Sequence, residues 1–121
     1  MKRPILMIIT VLSALMLTTG ARAEMTAREL LEMYDQGDPD IREKLELVVD
    51  GNANGVSWMN AYLDEYRGAS QQIYCTPDDF TVDGPAMIAM MRVAIEHDPR
   101  YAELPYGATV MFAYIHRFPC P

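Results

Sequence analysis

The segment of this 121-residue chain closest to a metal-binding pattern is Asp50-Gly51-Asn52-Ala53-Asn54-Gly55. It matches the first half of a calcium-binding EF-hand loop, in which alternate Asp and Asn side chains supply oxygen ligands. The twelfth loop position must then carry a Glu that binds calcium through both carboxylate oxygens, and this chain has Ala61 there. An apolar helical stripe also continues through the segment. We therefore expect no calcium site, and we expect no other metal or cofactor.

Two cysteines and two histidines are the groups that could carry nucleophilic chemistry. A cysteine peptidase needs a thiolate beside a histidine, but Cys75 and Cys120 are better explained as partners of each other. His97 and His116 lack the spacing of zinc ligands, and both are expected near helix ends, where an imidazolium interacts favourably with the last carbonyl groups. Adjacent acids such as Asp78-Asp79 are typical of a solvated surface. The sequence therefore indicates a binding protein and not an enzyme.

The N-terminus has the three parts of a secretory signal peptide. Lys2-Arg3 supplies a basic start, an apolar run follows from Ile5 to Leu17, and Ala21-Arg22-Ala23 is a small-residue cleavage site. The apolar run of about 13 residues is shorter than the ~20 residues that a helix needs to cross a bilayer. We predict a signal peptide over residues 1–23, a single mature domain over residues 24–121 in the periplasm, and no membrane insertion after cleavage.

The predicted mature domain is acidic and contains both cysteines of the chain. The chain has 10 Lys and Arg against 17 Asp and Glu, and removal of three basic residues with the signal peptide leaves a net charge of −10. Such a charge repels nucleic acid and anionic membranes and favours basic partners. Two cysteines in an oxidising compartment predict one disulfide, Cys75–Cys120.

Start and stop signals predict a series of helices. Thr26 and Glu29 form a capping box that begins a short helix ending at Gly37. Asp38-Pro39 begins the longest helix, because a capping acid precedes a proline at the first helical position. Gly84-Pro85 begins a third helix that Pro99 stops, with a loop over residues 73–83 before it, and Pro105 begins a last helix that ends at Pro119. No alternating strand is evident, so we predict an all-α bundle of four to five helices.

The longest helix carries two apolar stripes at helical spacing. The first comprises Ile41, Leu45, Val48, Asn52, Val56, Met59, Leu63 and Tyr66, and the second comprises Gly51, Gly55, Trp58 and Tyr62. We therefore expect this helix to be covered over more than one face, with Trp58 in the core. Small residues at Gly51, Ala53 and Gly55 are expected to let another helix approach closely. In the third helix Met87, Ile88, Met91, Ala94 and Ile95 are predicted to face inward, and in the last helix Ala108, Met111, Phe112, Ile115 and Phe118.

The order of four short motifs resembles the Rap/Tai immunity family. The motifs are Gly51-x-x-x-Gly55-x-x-Trp58, Gln72-Ile73-Tyr74-Cys75-x-Pro77, His97-Asp98-Pro99 and a closing Phe118-Pro119-Cys120. The resemblance covers roughly residues 30–120. It implies a small, helical, disulfide-bonded periplasmic protein that neutralises a peptidoglycan amidase effector delivered by a type VI secretion system. Many relatives carry an extra cysteine pair, where this chain has Tyr34 and Leu45.

If the immunity function transfers, the expected mechanism is occlusion of the amidase cleft by a preorganised loop. The loop over residues 76–84 is the first candidate, in which Asp78, Asp79 and Asp83 meet a basic rim and Phe80 enters an apolar pocket. The alternative for Phe80 is that it folds back on the core. A second candidate patch consists of Tyr101, Glu103 and Tyr106.

Two other functions fit the same sequence. An acid-stress periplasmic chaperone is also small and helical, and protonation of the carboxylates would change the mature charge from −10 to about +9. A periplasmic protein-binding module without a toxin partner is the other alternative. A homodimer is compatible with a small bundle that has an apolar patch to spare, although no heptad repeat requires one.

Overall fold

The computed structural model describes residues 24–78 and 80–121, and the predicted signal peptide at 1–23 lies outside them. These residues form four α-helices and no strand, so the predicted all-α fold is confirmed. The helices are α1 (Ala27–Gln36), α2 (Pro39–Tyr62), α3 (Gly84–His97) and α4 (Tyr106–Arg117). A π-helical turn at Leu63–Arg67 continues α2, and 3-10 turns lie at Ala69–Gln71 and Pro99–Glu103. Within the described ranges, no helix has the length and apolar character needed to cross a membrane.

The helix starts follow the capping signals in the sequence. Thr26 Oγ1 accepts a hydrogen bond from the Glu29 backbone N–H (3.2 Å), and the Glu29 carboxylate accepts one from the Thr26 N–H (2.8 Å). Asp38 and Asp83 each accept from the backbone N–H three residues later, at 3.0 and 2.9 Å. These bonds satisfy donors that have no partner within the first turn of a helix. The predicted beginnings of α1, α2 and α3 are confirmed.

The core lies where α2, α3 and α4 pack against one another and α1 closes one side. The largest fully buried side chains include Leu30 of α1, Val49 of α2, Met87 and Met91 of α3, and Val110 of α4. Burial of one such side chain stabilises the fold by roughly 1.5–3 kcal/mol. The predicted inward positions of α3 are confirmed, with Ile95 only partly buried.

The buried face of α2 differs from both predicted stripes. Its buried residues are Leu45, Val49, Ala53 and Asn60. The prediction that Ile41, Val48, Met59 and Tyr66 face the core is wrong, since all four are exposed. Two other members of the first stripe do reach the core, because Leu45 is buried and Val56 packs against it. The reason is that α3 and α4 approach α2 from one side, so only a single stripe of α2 can be covered.

The close approaches of helices occur at other glycines than those predicted. A Cβ at Gly84 would lie 2.5 Å from the carbonyl oxygen of Glu46 in α2, and one at Gly107 would lie 2.8 Å from Asn52 Nδ2. Gly51 and Gly55 have no heavy atom of a neighbouring element within 4 Å of such a Cβ. The glycines at the close contacts therefore belong to α3 and α4, the helices that approach α2, and not to α2 itself.

The buried face of α4 is also rotated from the prediction. Its buried residues are Thr109, Val110, Ala113 and Tyr114, followed by Phe118, whereas Ala108, Met111, Phe112 and Ile115 are only partly buried. The Thr109 hydroxyl donates to the Tyr101 carbonyl oxygen (2.8 Å), which ties α4 to the 3-10 turn before it. Polar groups with such bonds can occupy the core at little cost.

Candidate functional site

The disulfide joins the chain end to the loop before α3. Cys75 and Cys120 are bonded, with their Cα atoms 4.9 Å apart, so the predicted disulfide is confirmed. The Cys75 backbone N–H also donates to the Phe118 carbonyl oxygen (2.9 Å). The segment at Cys75 is therefore fixed by one covalent bond and one hydrogen bond.

A buried amide of α2 holds the residues just before Cys75. Asn60 Oδ1 accepts from the Ile73 N–H (2.8 Å), and Asn60 Nδ2 donates to the Tyr74 carbonyl oxygen (3.0 Å). Asn60 is 6% exposed. Sequence reasoning missed this residue, because it belongs to neither apolar stripe. The sequence gives one indication of its role, which is that a short amide side chain lies on the helix that precedes the loop.

Three hydroxyl groups connect the same segment to α4. Tyr74 donates to Ser57 Oγ (3.2 Å), which lies 3.2 Å from the Tyr114 hydroxyl, and the two tyrosine rings stack with their centroids 4.4 Å apart. Burial raises the pKa of the Tyr74 hydroxyl above its ordinary value. These side chains line a cleft of about 290 Å³, to which Asp64 and Phe80 also contribute.

The loop that joins Cys75 to α3, residues 76–83, borders this cleft, and we call it the 76–83 loop. The Phe80 ring meets the Phe118 ring edge-on at 4.6 Å but stays 43% exposed. Phe80 therefore packs against a core side chain and still presents part of its ring to solvent. Asp78 and Asp83 are exposed, and Asp83 caps α3. Asp79 lies outside the described residues.

The second predicted patch is engaged within the chain. The Tyr101 ring stacks on the Phe112 ring at 4.6 Å. Glu103 accepts a hydrogen bond from Arg28 Nε (2.7 Å), and the Tyr106 N–H donates to the Met25 carbonyl oxygen (3.0 Å). Tyr101 and Tyr106 are half-buried. These contacts hold the 3-10 turn and the start of α4 against α1.

The motif residues behind the family resemblance fall into two groups. Tyr74 and Phe118 are buried and position the 76–83 loop. Pro77 is exposed in that loop, Pro99 begins a 3-10 turn, and Pro119 is exposed after α4. The contacts of Tyr74 and Phe118 therefore explain a structural role for these two residues.

An exposed aromatic surface covers the outer side of the long helix. Trp58 is 76% exposed, so the prediction that it lies in the core is wrong. Met59, Tyr62 and Tyr66 are 57%, 52% and 66% exposed, and the rings of the two tyrosines lie 5.0 Å apart. We call this surface the α2 face and define it by Val48, Gly51, Gly55, Trp58, Met59, Tyr62 and Tyr66.

The α2 face has the composition of a protein interface. Trp, Tyr and Met are enriched at the centres of interfaces, and contiguous apolar patches of this kind are uncommon on monomers. The π-helical turn at Leu63–Arg67 lies at its end, and such turns are frequent at functional sites. The signal in the sequence was that apolar residues occupy more of the circumference of α2 than a small bundle can bury, and the α2 face contains members of both predicted stripes.

The two histidines do not line the cleft. His97 and His116 lie side by side with ring centroids 4.5 Å apart, and both are exposed. In residues 24–78 and 80–121, no three His, Cys, Asp or Glu side chains are grouped as a metal site would require. Comparisons with protein-family models, with curated proteins and with solved structures find no match to this chain.

Proposed function

We propose that this chain is a periplasmic immunity protein that binds a peptidoglycan amidase effector of a type VI secretion system and blocks its cleft. The observation that carries the proposal is the anchored 76–83 loop. The disulfide of Cys75 fixes its first end, the Asp83 cap fixes its last end, and Phe80 rests on Phe118 in between. Such a loop suits insertion into a partner.

Anchoring of the loop matters because ordering costs affinity. Each rotamer-rich side chain that becomes fixed on binding costs about 0.5–1.5 kcal/mol. The disulfide of Cys75, the Asp83 cap and the Phe80–Phe118 contact remove part of the freedom of the loop before the partner arrives. Phe80 still exposes part of its ring, as a side chain that enters an apolar pocket must.

Charge supports a basic partner. The formal net charge is −7 for the whole chain, and Asp78 is an exposed acid beside Phe80. Complementary charge increases the rate at which partners meet and disfavours wrong partners. The resemblance to the Rap/Tai family supplies the class of partner, and the signal-like N-terminus together with the disulfide supports the periplasm as the compartment.

The first test is binding to a secreted amidase encoded beside the gene of this chain. We expect the disulfide-bonded protein to bind that amidase in isothermal titration calorimetry and to inhibit its cleavage of peptidoglycan. The substitutions Phe80→Ala and Asp78→Lys are expected to weaken binding at least tenfold each, because they remove the apolar anchor and reverse a charge of the loop.

The matched controls for this test lie on α3. Glu96→Lys reverses an equally exposed charge and Val93→Ala shortens an exposed apolar side chain, and neither residue is in the loop. We expect both controls to bind as the parent does. Equal loss of binding in the loop and control variants, or no inhibition of the amidase by the parent protein, would contradict the proposal.

Acid titration separates the proposed function from an acid-stress chaperone, which the exposed α2 face would also suit. Hydrogen bonds from Thr26 hold the pKa of the Glu29 carboxyl below its ordinary value, and hydrogen bonds from Arg100 do the same for the pKa of Asp98. Because these pKa values are lower in the folded state, the stability from both groups is present above about pH 4 and is lost as the pH falls through the folded-state values.

We therefore expect stability to fall as the pH decreases from 5 to 2, which circular dichroism and thermal melts will measure. An immunity protein gains no activity in this range. Suppression of client aggregation at pH 2–3 by the acid-treated protein, with none at pH 7, would favour the chaperone and contradict the proposed function.

A further inference from the structure

We propose that the cleft beside the 76–83 loop binds a neutral sugar that carries an acetamido group. The cleft has a volume of about 290 Å³, at the lower end of the ~300–1,000 Å³ that is usual for ligand pockets. This size suits a single ring with one substituent better than a peptide chain. The inference does not rest on the proposed function, because its ligand is a small molecule and not a protein.

The hydroxyl groups of Ser57, Tyr74 and Tyr114, which line the cleft, have one hydrogen more than they use. Three hydroxyls carry three hydrogens, and the two bonds among them, each 3.2 Å long, use two. In residues 24–78 and 80–121, no further acceptor bonds to these groups. Tyr74 and Tyr114 are 2% and 3% exposed, and a buried donor without an acceptor is unfavourable. A ligand that offers an acceptor here is therefore favoured.

Asp64 supplies the opposite kind of group. Its exposed carboxylate accepts hydrogen bonds and has none to donate, and among the described residues that line the cleft it is the one with a charge. Asp64 follows Ser57 by seven residues, which is about 10 Å along a helix. A sugar ring with its acetamido group and its hydrogen bonds spans this distance. The acetamido oxygen then accepts from the hydroxyl groups, and a ring hydroxyl donates to Asp64.

These two ends of the cleft select against charged ligands. A cationic group carries donors only, so it pairs with Asp64 and leaves the spare hydroxyl hydrogen without an acceptor. An anionic group accepts that hydrogen but lies near the Asp64 carboxylate, and no described lining residue is basic. A neutral ligand with an acceptor at one end and a donor at the other satisfies both ends.

The remaining side chains of the cleft match a sugar ring. Gln72, Thr76 and Thr81 carry an amide and two hydroxyls, and each of these groups both donates and accepts, as ring hydroxyls do. Phe80 lines the cleft and is 43% exposed, so it offers an apolar face to the C–H groups of the ring. Val82 offers a further apolar surface for the acetamido methyl group.

The first experiment titrates the disulfide-bonded protein with N-acetylglucosamine at pH 6 and follows the backbone amide resonances by NMR. We expect saturable shifts around the cleft with a dissociation constant of about 1 mM, which a ligand of this size reaches at an ordinary ligand efficiency. Glucose lacks the acetamido group, and glucosamine carries an ammonium group in its place. Both are expected to bind at least tenfold more weakly. Glucosamine that binds as tightly as N-acetylglucosamine would show that the cleft takes a cation and would overturn the proposal.

The second experiment compares variants with matched controls. Asp64→Ala is expected to weaken N-acetylglucosamine binding at least fivefold, whereas Glu65→Ala removes the exposed acid next to it, outside the cleft, and should bind as the parent does. Asp64→Asn should keep most of the affinity, because the amide oxygen still accepts a hydrogen bond. Tyr114→Phe is expected to weaken binding at least fivefold. Its control is Tyr34→Phe, which removes a hydroxyl that bonds to Glu46 (2.7 Å).

Two further results would overturn the proposal. One is the absence of saturable shifts at 20 mM N-acetylglucosamine. The other is an equal loss of binding in Asp64→Ala and Glu65→Ala, which would place the sugar outside the cleft. Asp64 is exposed, so Asp64→Ala tests the cleft without disturbing the core, and we expect its melting temperature to equal that of the parent. No amidase enters these titrations, so their failure is distinct from a failure of the proposed function.

Discussion

Reduction of the Cys75–Cys120 disulfide is expected to lower the free energy of unfolding by about 2–4 kcal/mol. The bond joins residues 45 positions apart, and opening it restores the conformational entropy of that long loop to the unfolded chain. A domain of this size has a total stability of about 5–15 kcal/mol, so the loss is a large fraction. Urea unfolding with and without dithiothreitol measures it directly.

The control for reduction is a variant that cannot form the bond. Cys75→Ser together with Cys120→Ser should match the stability of the reduced parent, and dithiothreitol should not change it further. We also expect the variant to lose affinity for its partner, because the first anchor of the 76–83 loop is gone. A reduced parent that unfolds at the same urea concentration as the oxidised one would show that the bond does not stabilise the fold.

Features with local causes were predictable from the sequence. The Thr26 and Glu29 capping box and the acids Asp38 and Asp83 act within one helical turn, so their effect does not depend on the rest of the fold. The disulfide was predictable for a different reason, since two cysteines in an oxidising compartment have only one pairing. These signals predicted where three helices begin and that the two cysteines are bonded to each other.

The orientation of the helices was not predictable in the same way. Helical periodicity showed two apolar stripes on α2, but neighbouring helices decide which residues are covered. The buried stripe contains Ala53, whose small side chain allows close packing, and Asn60, whose amide binds the loop backbone. Neither residue belongs to the two apolar stripes, although Ala53 was expected at a close contact between helices. The second stripe placed Trp58 in the core, where the structure has it exposed.

The long helix positions both candidate surfaces, on different sides of its axis. Ser57 and Asn60 turn toward the cleft and hold the segment that leads into the 76–83 loop. Trp58 and Tyr62 point away from it, into the α2 face. Substitutions can therefore alter one of these surfaces without changing the other.

Gly84→Ala at the start of α3 is expected to destabilise the fold, although it adds only one methyl group. The added Cβ would lie 2.5 Å from the carbonyl oxygen of Glu46 and 2.8 Å from its carbonyl carbon, so it meets the backbone of α2 and not a flexible side chain. The helices must separate to make room, and overpacking of this kind costs about 1–3 kcal/mol. Movement of Glu46 would also disturb its hydrogen bond from the Tyr34 hydroxyl (2.7 Å).

Gly51→Ala is the matched substitution, because it adds the same methyl group where no neighbouring element lies within 4 Å. In a single copy it should raise the free energy of unfolding by about 1 kcal/mol, since alanine favours a helix interior over glycine. Both substitutions are measured by urea unfolding against the parent protein. If Gly84→Ala is as stable as the parent, the close contact between α2 and α3 is wrong. A loss of stability from Gly51→Ala would show that a neighbouring element packs at residue 51 and would contradict its open surroundings.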